Sequence, residues 1–237
     1  ASTGARFFDE KGNITFNSPE TIEALKLYNE LIKFAPPGAE AWSWGEIELN
    51  IAAGTLAMSP YFPSVQKRFH EEFDSDDYDA AHIPFYKDRT KRGTITYPNE
   101  IHLYKDTLEK PGHKEAVYDF VRFMMRPDIN AILTSGQEPG GFFPTTVSAS
   151  QAKEYWDDPI VKRFENIHKV AMEALNDYAS LYGFEYGKWV NTGIGDITGA
   201  DVLADTVNKV VSGQMSPEEA AAYGAELMAK YSSPVGQ

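Results

Sequence analysis

Apolar and polar positions follow two rhythms along the chain. Ile22, Leu25, Tyr28 and Ile32 recur at three- and four-residue spacing and predict an amphipathic helix. Asn17 or Ser18 can cap it, Pro19 suits its first turn, and Pro36-Pro37-Gly38 ends it. Ahead of it, the runs Phe7-Phe8 and Ile14-Thr15-Phe16 flank a polar, glycine-containing turn and predict a hairpin. A short helical pattern through Ile47 and Ile51 stops at Gly54. Leu56-Ala57-Met58 then reads as a buried strand, and a helix carrying Val65, Arg68 and Phe69 follows. Ala80 to Phe85, Thr94 to Tyr97 and Ile101 to Tyr104 read as further strands. Beyond residue 105 the pattern turns helical. Ala116, Val117, Phe120, Val121, Phe123 and Met124 form one apolar stripe, and helices are predicted through Ile129 to Leu133, Gln151 to Trp156, Ile160 to Ala179, Asp201 to Ser212 and Pro217 to Tyr231. Gln137 to Pro144, punctuated by glycine and proline, is a loop displaying Phe142 and Phe143.

Of 237 residues, 22 are Lys or Arg and 35 are Asp or Glu, a formal charge of −13 that excludes a broadly basic nucleic-acid binder. Hydrophobic residues make up 42% of the chain, enough for a packed core, and no stretch approaches the ~18 consecutive apolar residues of a membrane span. Cysteine is absent, which removes thiol catalysis, cysteine-ligated zinc and iron–sulfur chemistry together. The basic stretch Lys87 to Gly93 is the best candidate for a crossing between subdomains.

Local catalytic signatures are lacking. His70, His82, His102, His113 and His168 include no i, i+4 pair of the kind that builds a helical zinc site, and each reads as an ordinary polar surface or core residue. Neither a G-x-S-x-G elbow, a phosphate-cradling loop nor a dinucleotide fingerprint is present. The run Asp74 to Asp79 lacks the glycine and terminal glutamate of a calcium loop and reads as a solvated acidic turn. No cofactor is expected.

Aromatic residues stand out by their place in loops: Trp42, Trp44, Tyr61, Tyr97, Phe142, Phe143, Tyr186 and Trp189 lie beside glycine, proline or predicted strand ends. A sugar presents C–H faces that stack on a flat ring and hydroxyl edges that need oriented partners, so such rings interleaved with Asn99, Glu100, Thr145 or Asp196 suit a carbohydrate. Loop aromatics also often merely plug the end of a lobe.

Asn17-Ser18-Pro19-Glu20 with Ala24-Leu25, then Trp42-Ser43-Trp44-Gly45, then Ala53-Gly54-Thr55-Leu56-Ala57-Met58 follow one another in an order that resembles the extracellular solute-binding proteins of ABC importers. The similarity is to their carbohydrate-binding family, which includes maltose-binding protein. Lys114-Glu115-Ala116 through Phe123, the Gly-to-Pro144-Thr145 turn, and Val211-Ser212-Gly213 followed by Ser216-Pro217-Glu218-Glu219-Ala220 agree with that family's later helices. Each landmark is weak alone; their order across nearly the whole chain carries the resemblance.

The resemblance implies an α/β, two-lobed, class II periplasmic-binding-protein-like fold. It implies most of lobe 2 in residues 1–92, a return segment of lobe 1 in 93–148, and the closing helices of lobe 2 in 149–237, with the N-terminal lobe-1 segment absent and the chain the C-terminal part of a longer protein. A lobe-1 segment lacking that partner is expected to expose apolar surface. The family's contact positions fall on Tyr61 and Phe62, where relatives often carry tryptophan, on Tyr97, Asn99 and Glu100, on Gly140, Gly141 and Phe142, and on the segment from Trp189 to Asp196. Trp42 and Trp44 fall in a loop that often faces the cleft. The implied activity is non-catalytic: hinge closure around a carbohydrate in an interlobe cleft, outside the cytoplasm in the periplasm or anchored at the cell surface, and delivery to the transmembrane subunits of an ABC permease. Its partners are the carbohydrate, the permease and the N-terminal part of the same protein, with no nucleic acid. Three other readings stay open: a glycan-processing enzyme, since aromatics with carboxylates also describe that cleft, a binding protein for a polyamine or other polar solute, and a helical interaction module with no small ligand.

Overall fold

The computed structural model describes residues 2–181, 191 and 193–232. In chain order its helices are α1 (Pro19–Leu31), α2 (Trp44–Ala52), α3 (Gln66–Glu71), α4 (Lys105–Leu108), α5 (His113–Met124), α6 (Pro127–Gln137) and α7 (Val147–Ser150). They continue with α8 (Lys153–Trp156), α9 (Pro159–Arg163), α10 (Glu165–Asp177), α11 (Ile194–Gly199), α12 (Val202–Val211) and α13 (Pro217–Tyr231). Strands β1 (Thr94–Thr96) and β2 (Ala179–Leu181) pair in parallel, Thr94 opposite Ala179 and Thr96 opposite Leu181.

Two compact units share the chain. Ala1–Ile47, Ile83–Tyr97 and Leu175–Gln237 make the first; Glu48–His82 and Pro98–Ala174 make the second. These units cut the chain at other places than the division at 92/93 and 148/149, which describes lobes by resemblance rather than contacts within this chain.

The first unit is built on apolar pairing between the two ends of the sequence. Phe8 and Phe16 bury against Ile197, Val202 and Met228, while Leu25 of α1 meets Val210 of α12 and Ala220 and Ala221 of α13. The expected hairpin at the start is present as a single antiparallel bridge between Phe8 and Ile14, its turn tied by the Asp9 carboxylate accepting from the Lys11 and Asn13 amides at 2.8 and 2.9 Å. Helix α13 begins as the sequence predicts. Ser216 accepts from the Glu219 amide at 3.2 Å, and the Glu219 carboxylate accepts in return from the Ser216 amide at 2.8 Å, satisfying two donors that a helix start otherwise leaves open. Gly224 lies inside α13 because Phe16 leaves no room there: a methyl group would come within 2.7 Å of its ring and 2.8 Å of Thr206 Oγ1.

In the second unit Ala131, Tyr155 and Val161 form the apolar centre, with Trp156 and Met172 packed against it. Helix α5 behaves differently from its pattern. It is amphipathic as expected, yet no residue in it is buried; Phe120 is 59% and Phe123 47% exposed, and Ile101, Leu103 and Tyr104 are also exposed. Apolar side chains of this stretch are thus displayed at the surface.

Several predicted elements are corrected. Leu56 to Met58, Ala80 to Phe85 and Ile101 to Tyr104 are not strands: a strand needs a neighbour to satisfy its backbone, and among the described residues only β1 and β2 form a ladder. The helix expected over 160–179 is two helices. Asp158 caps α9, Phe164 leaves helical geometry at ψ 39°, α10 starts afresh, and the last residues join β2. No helix among the described residues is long and apolar enough to cross a membrane.

The Phe16 packing sets a scale for this unit. Phe16→Ala should lower unfolding free energy by roughly 3–5 kcal/mol, whereas Ser216→Ala should cost about 1 kcal/mol. Urea unfolding of both variants checks this; equal losses would contradict the assignment of Phe16 to the core.

Candidate functional site

The chain leaves α2 through Tyr61 and Phe62 and enters a tight turn, Pro63–Val65, that feeds α3. Ser64, Val65 and Gln66 are buried, so the turn is gripped from below while Tyr61 and Phe62 stay half-exposed above it. The two rings meet edge to face at 5.9 Å.

Glu48, on α2, is the hub beneath Tyr61. Its Oε1 accepts from the Ser64 hydroxyl at 3.0 Å, Arg68 Nε stands 3.6 Å from its Oε2, and the Tyr61 hydroxyl donates to it. Burial first, then the charge and hydrogen bond of Glu48 and the charge of Glu138, push the Tyr61 phenol up to about 12. Tyr78 is likewise raised to about 12 by burial and then Glu48. Both phenols therefore remain protonated donors throughout the physiological range.

The glycine turn comes to the same place. The Glu138 carbonyl accepts from the Gly141 and Phe142 amides, each at 3.0 Å, and Gly140 takes φ +79°, the left-handed conformation that favours glycine. A methyl group on Gly140 would stand 2.4 Å from Gln66 Nε2 and 2.9 Å from Pro63; one on Gly141 would stand 2.5 Å from Glu138 Oε2. The turn's far end is fastened by buried Asn130, whose Oδ1 accepts from the Thr145 amide at 3.0 Å and its hydroxyl at 3.1 Å. Gly140 thus lies against the Pro63–Val65 turn that follows Tyr61 and Phe62, and the charge of Glu138, which anchors Gly141 and Phe142, acts on Tyr61.

Under that turn lies a chain of fully buried polar groups. The Tyr155 hydroxyl is 2.7 Å from His168 Nδ1, and the Gln66 amide is 2.9–3.1 Å from His168 Nε2. Phe143 packs edge-on against the imidazole at 5.8 Å. Burial pushes the imidazole down to about 4, with the charge of Asp158 opposing, so the ring is neutral at pH 7.

The other expected contacts lie elsewhere. Trp42 is half-buried, and Trp44 is 65% exposed at the head of α2; both are in the first unit, as are Tyr97 at its 48% exposure and Asp196, exposed in the first turn of α11. Asn99 and Glu100 are exposed in the second unit, with Glu100 3.3 Å from His102. Trp189 and Tyr186 lie outside the described residues.

Nothing in the sequence marks Glu48, Gln66 or His168 as a contact. Glu48 sits in a helical pattern like any solvated carboxylate, and His168 carries no local motif. The acidic run is more than solvated: Arg163 donates to Asp74 at 2.8 Å and reaches Asp76, and Asn166 donates to Asp79 at 2.7 Å. In the first unit a shallow depression is lined by Glu20, Glu23, Tyr86, Lys87 and Arg89, none of them an expected contact; Lys87 and then Tyr86 hold the Glu23 carboxyl below its usual range. Among the described residues no three His, Asp or Glu side chains are grouped to hold a metal ion.

No protein-family profile matches the chain. It is similar to YcjN of Escherichia coli (strain K12), described as an ABC transporter periplasmic-binding protein, with 24% identity over 213 residues, 90% of this chain and 47% of that one. Among solved structures it is similar to maltose-bound MalE3 of T. maritima, with 17% identity, a TM-score of 0.66, 97% of this chain and 55% of that one covered. It is also similar to an ABC transporter solute-binding protein of Agrobacterium radiobacter K84 in complex with ribitol, at 22% identity, a TM-score of 0.66, and 97% and 54% coverage. The chain spans about half the length of the relatives it matches. The resemblance read from the residues, to solute-binding proteins of ABC importers, is thereby shown, and the fold is part of the class II periplasmic-binding-protein fold.

Two outcomes follow from the geometry. Gly140→Ala should destabilise the chain by roughly 1–3 kcal/mol, through strain at positive φ and the clash with Gln66; an unfolding midpoint equal to wild type would show that the turn is not seated as described. His168 binds its proton less readily folded than unfolded, so its contribution to stability is complete above about pH 6.5 and is lost as pH falls through that value toward 4. The loss should reach roughly 3 kcal/mol, read by urea unfolding at stepped pH, and His168→Gln should flatten that slope.

Proposed function

We propose that the chain is part of a solute-binding protein that captures a sugar or oligosaccharide and presents it to the transmembrane permease of an ABC importer, outside the cytoplasmic membrane, without making or breaking a bond. One observation carries this reading: two stretches that the resemblance marks as contacts, Tyr61-Phe62 and Gly140 to Phe142, approach each other, Gly140 lying against Pro63 and the charge of Glu138 acting on Tyr61, although nearly eighty residues separate them. Half-exposed rings supply stacking faces, and the Glu48 carboxylate supplies an acceptor for hydroxyls. The matched structures, one holding maltose and one ribitol, support the choice of ligand class. Trp42, Trp44, Tyr97, Asn99, Glu100, Trp189 and Asp196 enter the reading as contacts by resemblance alone.

A second reading draws on the two carboxylates, Glu48 and Glu138, whose charges both act on Tyr61. Such a surface also suits a cationic solute such as a polyamine.

Calorimetric titration with maltose, maltotriose, ribitol and spermidine separates the two. Sugar or polyol binding with the ligand recovered unchanged supports the first reading, and spermidine binding alone supports the second. Product exceeding protein in amount would make the chain an enzyme, and no heat from any ligand would defeat both readings. Tyr61→Ala and Trp44→Ala should each weaken sugar binding by about 1–3 kcal/mol, the scale of a stacked ring, with cooperative unfolding retained.

A further inference from the structure

We propose that His168 is the positioning residue of the Gly140–Phe142 turn, which it holds through Gln66 on one side and Phe143 on the other. The inference rests on the reading of that turn as a solute contact. His168 touches no expected contact residue itself; it acts through its two neighbours. Gln66 is the seat of the turn, since its amide nitrogen occupies the space that any side chain at Gly140 would need. Phe143, directly after the turn, leans on the imidazole. A single ring therefore braces the turn from α10 at both its centre and its end.

Burial favours a neutral imidazole in this arrangement. With Tyr155 donating to Nδ1, the Nε2–H donates to Gln66 Oε1; in the other tautomer Nδ1–H donates to the Tyr155 oxygen and Gln66 Nε2–H donates to Nε2. Either way each of the three buried side chains makes a hydrogen bond. A doubly protonated ring makes both nitrogens donors, removes the acceptor of the Tyr155 hydroxyl in the first arrangement or of Gln66 Nε2–H in the second, and places a cation where burial disfavours charge. The titratable groups acting on the ring are Tyr155 of α8, itself buried and pushed upward, and Asp158 at the head of α9, which alone favours the cation; Gln66 of α3 and Phe143 carry no charge. Acid therefore drives the ring out toward water, which takes away the seat and the brace together.

Hydrogen exchange of the intact chain, followed by mass spectrometry and corrected for the intrinsic effect of pH, reads this directly. In the wild type, opening at the Gly140–Phe143 amides should rise on the order of tenfold between about pH 7 and about pH 5, while α12 and α13 keep their protection. In His168→Gln, which keeps a polar group but cannot titrate there, the turn should show no such rise; His168→Asn serves if the glutamine variant does not fold. Maltose or ribitol affinity measured at the same two pH values should fall with acid in the wild type and stay level in the variant. A turn whose exchange is level in the wild type, or rises equally in the variant, overturns the role of His168. If neither ligand binds at about pH 7, the proposed function fails, and the exchange result alone still decides whether His168 positions the turn.

Discussion

Gln66, His168 and Tyr155 are polar and fully buried, and they come from three separate helices. Burying such groups costs free energy unless each finds a partner, so the second unit has essentially one way to close: all three must arrive together. That requirement fixes α3 against α8 and α10, and it sets the floor on which the Gly140 turn rests. The half-exposed chemistry above, with Tyr61 donating to Glu48 and Phe62 beside it, inherits its geometry from that floor.

Helix ends were the most legible part of the sequence. The caps Ser18 and Ser216, the prolines that open α1 and α13, and the break at Gly54 each act within a few residues, and local patterns record local causes. Strands were the least legible. Ile101 to Tyr104 and Leu56 to Met58 have a strand's alternation or apolarity, but pairing depends on a distant neighbour that no local pattern names. β2 shows the converse: Ala179-Ser180-Leu181 looks like a helix end until β1 lies beside it.

The site divides along the same line. Tyr61 and Phe142 stand out because aromatics in loops break the periodicity of a core, while Phe62, Gly140 and Gly141 enter through the resemblance alone. Glu48 and His168 do not stand out, because their importance arises from what lies across from them. At Gly140 the left-handed conformation and the lack of space around it leave few alternatives to glycine.

In the first unit, Phe8 and Phe16 are buried against Ile197, Val202 and Met228, which lie far along the sequence from them. During synthesis these phenylalanines emerge well before those three residues. At ordinary ribosomal speeds roughly 10–40 s pass before the C-terminal helices exist. Throughout that interval the two rings lack the C-terminal side chains that bury them in the folded unit. Closure of this unit therefore waits on its last helices, and until they arrive the rings are a natural surface for a holding chaperone.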